Sequence, residues 1–97
     1  MLNSKRYLNI LNYICDYYGI SNAELAEIMR SKDNKYMILL LLKNNNCLDI
    51  ESLKDMLKIK NKSSINNSVK LAEKKFLINS YFRNAYFSLE ENLEKIK

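Results

Sequence analysis

The sequence contains no histidine, no proline, no tryptophan and only one glycine, Gly19. Without histidine, the Ser/His/Asp triad, the Cys/His dyad and most zinc sites are excluded. Without proline and with one glycine, collagen-like chains, flexible linkers and glycine-turned β-sandwiches are disfavoured, and helices are expected. No glycine-rich phosphate loop is present either. We therefore expect a protein that is not an enzyme and that uses no metal or cofactor.

Cysteine and long apolar runs are also scarce. The two cysteines, Cys15 and Cys47, are fewer than the four or more usual in a secreted domain of this size, so we predict buried, reduced thiols. The longest apolar run, residues 36–42, has seven residues, whereas a membrane span needs about 20. The N-terminus has no signal-peptide core. The sequence predicts a cytoplasmic protein with no membrane partner.

The composition that remains is that of a small folded domain. The chain has 97 residues, of which 47% are hydrophobic and 28% are charged. This balance allows a core to close, and the length suits one domain over residues 1–97.

The net charge of +5 is concentrated in residues 54–75. Seven lysines and two acidic residues in this segment give +5, and the rest of the chain sums to zero. Lysines on helices are usually solvated, but such a concentration is typical of a surface that binds a polyanion. The segment carries Lys54, Lys58, Lys60, Lys62, Lys70, Lys74 and Lys75 against Asp55 and Glu73.

Apolar spacing predicts a series of helices along the first two thirds of the chain. One runs from Tyr7 to Tyr18 and ends at Gly19, and a second follows a capping serine and ends near residue 30. The leucine-rich run at 36–42 favours a buried third helix over a strand, from about residue 35 to 43. After an asparagine turn at 44–46 and a short extended piece at 47–48, Asp49 caps a short helix.

The last third predicts one more helix, a β-hairpin and a final helix. Helical spacing of Ile65, Val69, Ala72 and Phe76 predicts a helix over 63–75. Residues 77–82 and 85–89 are rich in tyrosine, phenylalanine and isoleucine, and they flank a two-residue break, which predicts a hairpin. A second capping-box pattern at 88–91 starts a helix.

The order of these elements from residue 35 onward resembles the winged helix-turn-helix family. LDIESLKDMLKI (48–59) resembles the first helix of that motif, and SSINNSVKLAEKKFLI (63–78) resembles the recognition helix running into the wing. AYFSLEE (85–91) is similar to the return strand of the wing. The resemblance implies a mainly α fold with a small β-hairpin wing (α+β), in which a winged helix-turn-helix over 35–97 follows an N-terminal helical extension over 4–30.

The same resemblance implies that the recognition helix lies in the major groove of double-stranded DNA. Asn66 and Asn67 are the predicted base-reading residues, because asparagine pairs bidentately with adenine. Lysines at the helix N-terminus and along its outer face, together with Lys54, are predicted to hold phosphates. Arg83 is the predicted wing contact. The complete predicted DNA-binding set is Lys60, Lys62, Ser63, Ser64, Asn66, Asn67, Lys70, Lys74, Arg83 and Asn84.

Two roles follow from DNA binding, and one alternative dispenses with it. A transcriptional regulator is the default for a stand-alone domain of this kind. The size and the asparagine-rich composition also resemble small TcpK-like plasmid-transfer accessory proteins, which would bind repeats near a transfer origin and help to recruit a protein partner, the relaxase. The alternative is a winged-helix module that binds only protein.

The tyrosines of the first helix raise the question of a homodimer. They leave aromatic surface on more than one face, which is covered either by the chain's own core or by a second copy across a two-fold axis. We expect the dimer, with the final helix and its Leu93 and Ile96 as a second candidate interface. The tyrosines concerned are Tyr7, Tyr13, Tyr17 and Tyr18.

Overall fold

The computed structural model describes residues 4–59 and 61–96, and it describes the side chains of residues 6–59 and 61–93. These residues form helices without any strand between them. Lys60 lies outside the described residues. The six helices found in the described part are α1 (Ser4–Tyr18), α2 (Asn22–Ile28), α3 (Lys32–Asn44), α4 (Ile50–Leu57), α5 (Lys62–Ile78) and α6 (Ser80–Ile96).

Three of the helices end on a residue in the left-handed conformation. Gly19, Asn46 and Lys58 have φ angles of 68°, 58° and 57°, and they follow α1, α3 and α4. In each case the next amide donates to a carbonyl five residues earlier, at 2.9 to 3.0 Å. This arrangement satisfies carbonyls that the helix itself leaves unpaired. The prediction that Gly19 ends the first helix is confirmed.

The core is centred on α3, whose apolar residues are buried on all sides. Residues 38–42 are each 3% exposed or less, and α3 packs against α1, α5 and α6. Leucine and methionine lose little side-chain freedom in a helix, so this run forms a buried helix. The helix predicted over 35–43 is confirmed, and it begins three residues earlier, at Lys32. The short extended piece predicted at 47–48 is not a strand.

The predicted β-hairpin wing is wrong, because the segment from 77 to 89 is helical. Asn79 separates α5 from α6, and its Oδ1 accepts a hydrogen bond from the amide of Phe82 at 3.0 Å. The aromatic composition suggested strands, but the buried apolar residues between 82 and 93 repeat at intervals of four, three and four, which is the period of a helix. The capping-box pattern at 88–91 consequently lies inside α6 and starts no helix. The buried residues of this face are Phe82, Tyr86, Leu89 and Leu93.

The first and last helices close the core together, because α1 packs against both α3 and α6. The Tyr13 hydroxyl donates to the carbonyl of Leu89. Tyr7 and Tyr13 are buried in the chain's own core, Tyr18 is half-buried, and Tyr17 is exposed. Most of the aromatic surface of α1 is therefore covered within the chain, and a dimer through this helix stays a prediction.

A dimer through the second candidate interface, on the final helix, also stays a prediction. Leu93 on α6 is buried in the core, and the side chain of Ile96 lies outside the described residues. Cys15 and Cys47 are both buried, and neither forms a disulfide, as predicted. In the portion of the chain with described structure, no helix is long and apolar enough to cross a membrane.

Candidate nucleic-acid interface

Helices α4 and α5 follow each other along the chain and pack together, with residues 58–61 between them. Leu53 on α4 and Ile65 on α5 are fully buried, and α5 packs against α3, α4 and α6. Ser68, Val69 and Ala72 continue the buried face of α5. Because a helix turns about 100° per residue, the polar residues between these positions point away from the core.

The outward face of α5 brings together most of the predicted DNA-binding residues. Seven of them are exposed on this one helix, and five of the seven, from Ser63 to Lys70, line a single shallow depression. The predicted grouping of side chains is therefore present, although the hairpin that was expected to accompany it is not. We call this surface the polar face of α5: Ser63, Ser64, Asn66, Asn67, Lys70 and Lys74.

Two lysines of the polar face keep an uncompensated charge. Within the described residues, no carboxylate lies within ion-pair distance of Lys70 or Lys74. The acidic residue of α5, Glu73, instead pairs with Lys43 of α3 at 2.5 Å. Positive charge that is exposed and unpaired beside amide side chains is chemically suited to a phosphate backbone with bases alongside it.

Lys62 differs from these lysines, because its ammonium group pairs with the carboxylate of Glu51 on α4. Glu51 also lies 3.6 Å from Lys54. The hydrogen bond from Lys62, and then the charges of Lys54 and Lys62, hold the pKa of Glu51 below its ordinary value. The sequence analysis missed Glu51, since only the packing of α4 on α5 brings it to the first turn of α5.

The N-terminus of α5 is already capped by a side chain that the sequence analysis also missed. Asn61 precedes the helix, and its Oδ1 accepts from the amide of Ser63 at 2.8 Å. One of the amides that was expected to meet a phosphate is therefore occupied within the chain. The spacing of Asn61 before a helical run is the signal that could have identified it.

Arg83 and Asn84 do not lie at the tip of a wing, because both are in α6. The Arg83 side chain points back to α5, where Nη1 donates to the carbonyl oxygens of Phe76 and Leu77. Asn84 is exposed. The guanidinium is engaged by carbonyls that the end of α5 leaves without helical partners, so it closes a helix end where the sequence predicted a DNA contact.

Comparisons with protein-family models, with curated proteins and with solved structures give no match to this chain.

Proposed function

We propose that the protein is a cytoplasmic DNA-binding protein that docks α5 into the major groove of double-stranded DNA without the help of a wing. The observation that supports this most strongly is the polar face of α5. It combines Asn66 and Asn67 with the unpaired Lys70 and Lys74 on one exposed side of a helix whose other side is fixed in the core.

Each chemical group of this face has a definite part in the proposed complex. The major groove is wide enough to admit an α-helix, and an asparagine side chain can bind the N6 and N7 atoms of adenine at the same time. Lys70 and Lys74 contribute through phosphates, which fix the position of the helix without reading sequence. Ser63 and Ser64, in the first turn of α5, can donate to either kind of group.

The two asparagines support a site-specific protein over one that coats DNA without preference, because lysines alone carry no sequence information. Two roles agree with such binding: a small transcriptional regulator, or an accessory protein that binds near a transfer origin and recruits a protein partner there. They differ in the fragment that is preferred, a promoter in the first case and origin repeats in the second.

Fluorescence anisotropy with labelled duplexes tests the proposal. Lys70→Glu and Lys74→Glu should each weaken binding by about tenfold or more, because each removes a phosphate contact and introduces repulsion. Lys32→Glu is the matched control: it makes the same charge change on an exposed residue in the first turn of α3. We expect this control to change affinity by about twofold or less, since Lys32 lies outside the polar face of α5 and exposed charges that contact no phosphate are screened.

Sequence specificity is tested by measuring the affinity of the Asn66→Ala and Asn67→Ala variants for a preferred fragment and for random DNA. Loss of a bidentate base contact should cost about 1–3 kcal/mol on the preferred fragment and little on random DNA. Binding no tighter than about 1 mM at low salt, weaker than ordinary non-specific affinity, would contradict the proposal and favour a module that binds only protein.

A further inference from the structure

Four large apolar side chains are exposed at the junction of α5 and α6. Leu71 is 47% exposed, Leu77 is 73% exposed, Ile78 is 75% exposed and Tyr81 is 88% exposed. Three of them lie within five consecutive residues around Asn79, and Leu71 lies two turns before Ile78 on α5. We call these four residues the apolar corner.

The apolar corner is a large exposed feature for a chain of this size. Leu71 and Ile78 line one depression together with the half-buried Tyr36. If a fully exposed large side chain presents about 150–200 Å², the corner leaves about 500 Å² of apolar surface in water. The largest apolar patch of a monomer typically measures about 300–600 Å² and is often functional, whereas isolated exposed apolar residues need no explanation.

We propose that the apolar corner is the interface of a two-fold homodimer, in which the corner of one copy covers the corner of the other. In a two-fold interface the same patch appears on both subunits, so a self-complementary apolar surface is sufficient. Burying both corners removes about 1,000 Å² from water, which is the minimum expected of a biological interface, and the polar rim adds to this area. The apolar corner is a different surface from the two dimer interfaces predicted from the sequence, which are the α1 face and the pair Leu93 and Ile96.

The position of the corner on α5 also sets the distance between the two DNA-binding faces, a consequence that rests on the proposed function. About 11 residues separate Asn66 and Asn67 from Leu77 and Ile78 on the same helix. At 1.5 Å per residue this is about 16 Å, or up to about 33 Å between the two reading positions across the axis. Successive major grooves on one side of DNA are about 34 Å apart, so the dimer reaches two half-sites only if its two α5 helices lie almost end to end.

The positive charge beside the apolar corner leads to a second, independent prediction, which concerns the salt dependence of dimerisation. Lys74 lines the same depression as Leu71 and Ile78, so the two copies bring like charges close to the axis. Because salt screens such repulsion and strengthens apolar association, self-association without DNA should become tighter as salt rises. DNA binding has the opposite salt dependence.

Sedimentation equilibrium without DNA tests the interface directly. Ile78→Ser and Tyr81→Ser should each weaken dimerisation at least tenfold relative to the unaltered chain. Leu8→Ser is the matched control, because Leu8 is a large apolar side chain on α1 that is 56% exposed; it should leave dimerisation unchanged. Far-UV circular dichroism checks that each variant keeps its helices. A chain that stays monomeric up to about 1 mM, or a dimer that tolerates both substitutions, overturns the proposal.

Two further measurements separate this inference from its rivals and from the proposed function. On a labelled duplex with a single half-site, Tyr81→Ser should bind as tightly as the unaltered chain, whereas cooperative binding to two half-sites about 34 Å apart should be lost. If dimerisation depends on the corner but no duplex binds, the interface stands and the DNA function fails. If the chain stays monomeric and instead sediments with vesicles containing phosphatidylglycerol in a Tyr81-dependent manner, the corner binds membranes and the dimer proposal is overturned.

Discussion

Nη1 of Arg83 lies 3.0 Å from the carbonyl oxygen of Phe76 and 3.1 Å from that of Leu77. The last carbonyls of a helix have no partner within it, and the helix dipole makes this end negative. A cation from the first turn of α6 therefore closes the end of α5. Phe76 also packs edge to face on Tyr86, with ring centroids 5.5 Å apart. Together the two contacts fix α6 against α5.

Replacing Arg83 with methionine, which keeps an extended apolar stem without the charge, should lower the free energy of unfolding by about 1–2 kcal/mol, because two charge-assisted hydrogen bonds are lost. Urea unfolding followed by circular dichroism measures this change. Asn84→Ala, at the next and exposed position, is the control and should stay within about 0.5 kcal/mol. Equal effects of the two substitutions would show that Arg83 does not cap α5.

Lys58 occupies a left-handed position that glycine adopts without steric cost. Lys58→Gly should therefore stabilise the fold by about 0.5–1 kcal/mol, since relief of backbone strain exceeds the entropy that glycine loses. Lys58→Ala removes the same charge and keeps the strain, so it should give no gain. Thermal and urea unfolding of both variants measure the difference, and a gain in the alanine variant would assign the effect to charge instead.

In the proposed DNA complex, a phosphate has to displace Glu51 from Lys62, because the two side chains already form an ion pair. Glu51→Gln should therefore tighten DNA binding and steepen its salt dependence by about one additional phosphate contact. Anisotropy titrations between 50 and 300 mM salt, a range of about sixfold, measure the slope. Glu27→Gln removes an exposed carboxylate from α2 and serves as the control. An identical slope in both variants would place Lys62 away from DNA.

Burial, and after it the nearby Asp49 carboxylate, raise the pKa of Tyr7 from 10.0 to about 12. Between these values the unfolded chain loses the tyrosine proton and the folded chain keeps it, so stability falls as pH rises from 10 to 12. The loss of stability between pH 8 and pH 11 should therefore be smaller for Tyr7→Phe than for the unaltered chain. Urea unfolding at pH 8 and at pH 11 measures it. An unchanged dependence would mean that Tyr7 ionises at its ordinary pH.

Most helices of the fold could be predicted from local signals in the sequence. Gly19 ended α1 as expected, and Asp49 accepts from the amide of Ser52 at 3.1 Å, which caps α4 as predicted. The burial of α3 followed from an apolar run without a polar side. In each case the deciding interaction lies within a few residues along the chain, so the spacing of residue types carries it.

The hairpin prediction was wrong because the interactions that decide the structure of this segment are not local. Tyrosine, phenylalanine and isoleucine occur readily in strands, and over four or five residues both periods fit them. Tertiary packing decided the outcome: Tyr86 is 1% exposed, and its hydroxyl accepts from the side-chain amide of Asn44, 42 residues earlier, at 2.8 Å. No local pattern in 77–89 contains that contact.

In the candidate site, too, local features could be predicted from the sequence and contacts between helices could not. The polar face of α5 could be predicted, because it is the complement of a buried stripe on the same helix. The pairing of Lys62 with Glu51 and the capping role of Arg83 could not, since each depends on the angle between two helices. Arg83 also shows that a lone arginine after a helix, which the sequence suggested as a DNA contact, can instead bind the carbonyls at the helix end.

The contact between α1 and α6, made by the Tyr13 hydroxyl on the Leu89 carbonyl, joins residues 76 positions apart. During synthesis α1 leaves the ribosome well before α6. The part of its apolar side that packs on α6 therefore stays uncovered until α6 has been made, even though α2 and α3 can already contact the rest of α1. A nascent chain stalled before α6 would expose this surface to chaperones and proteases.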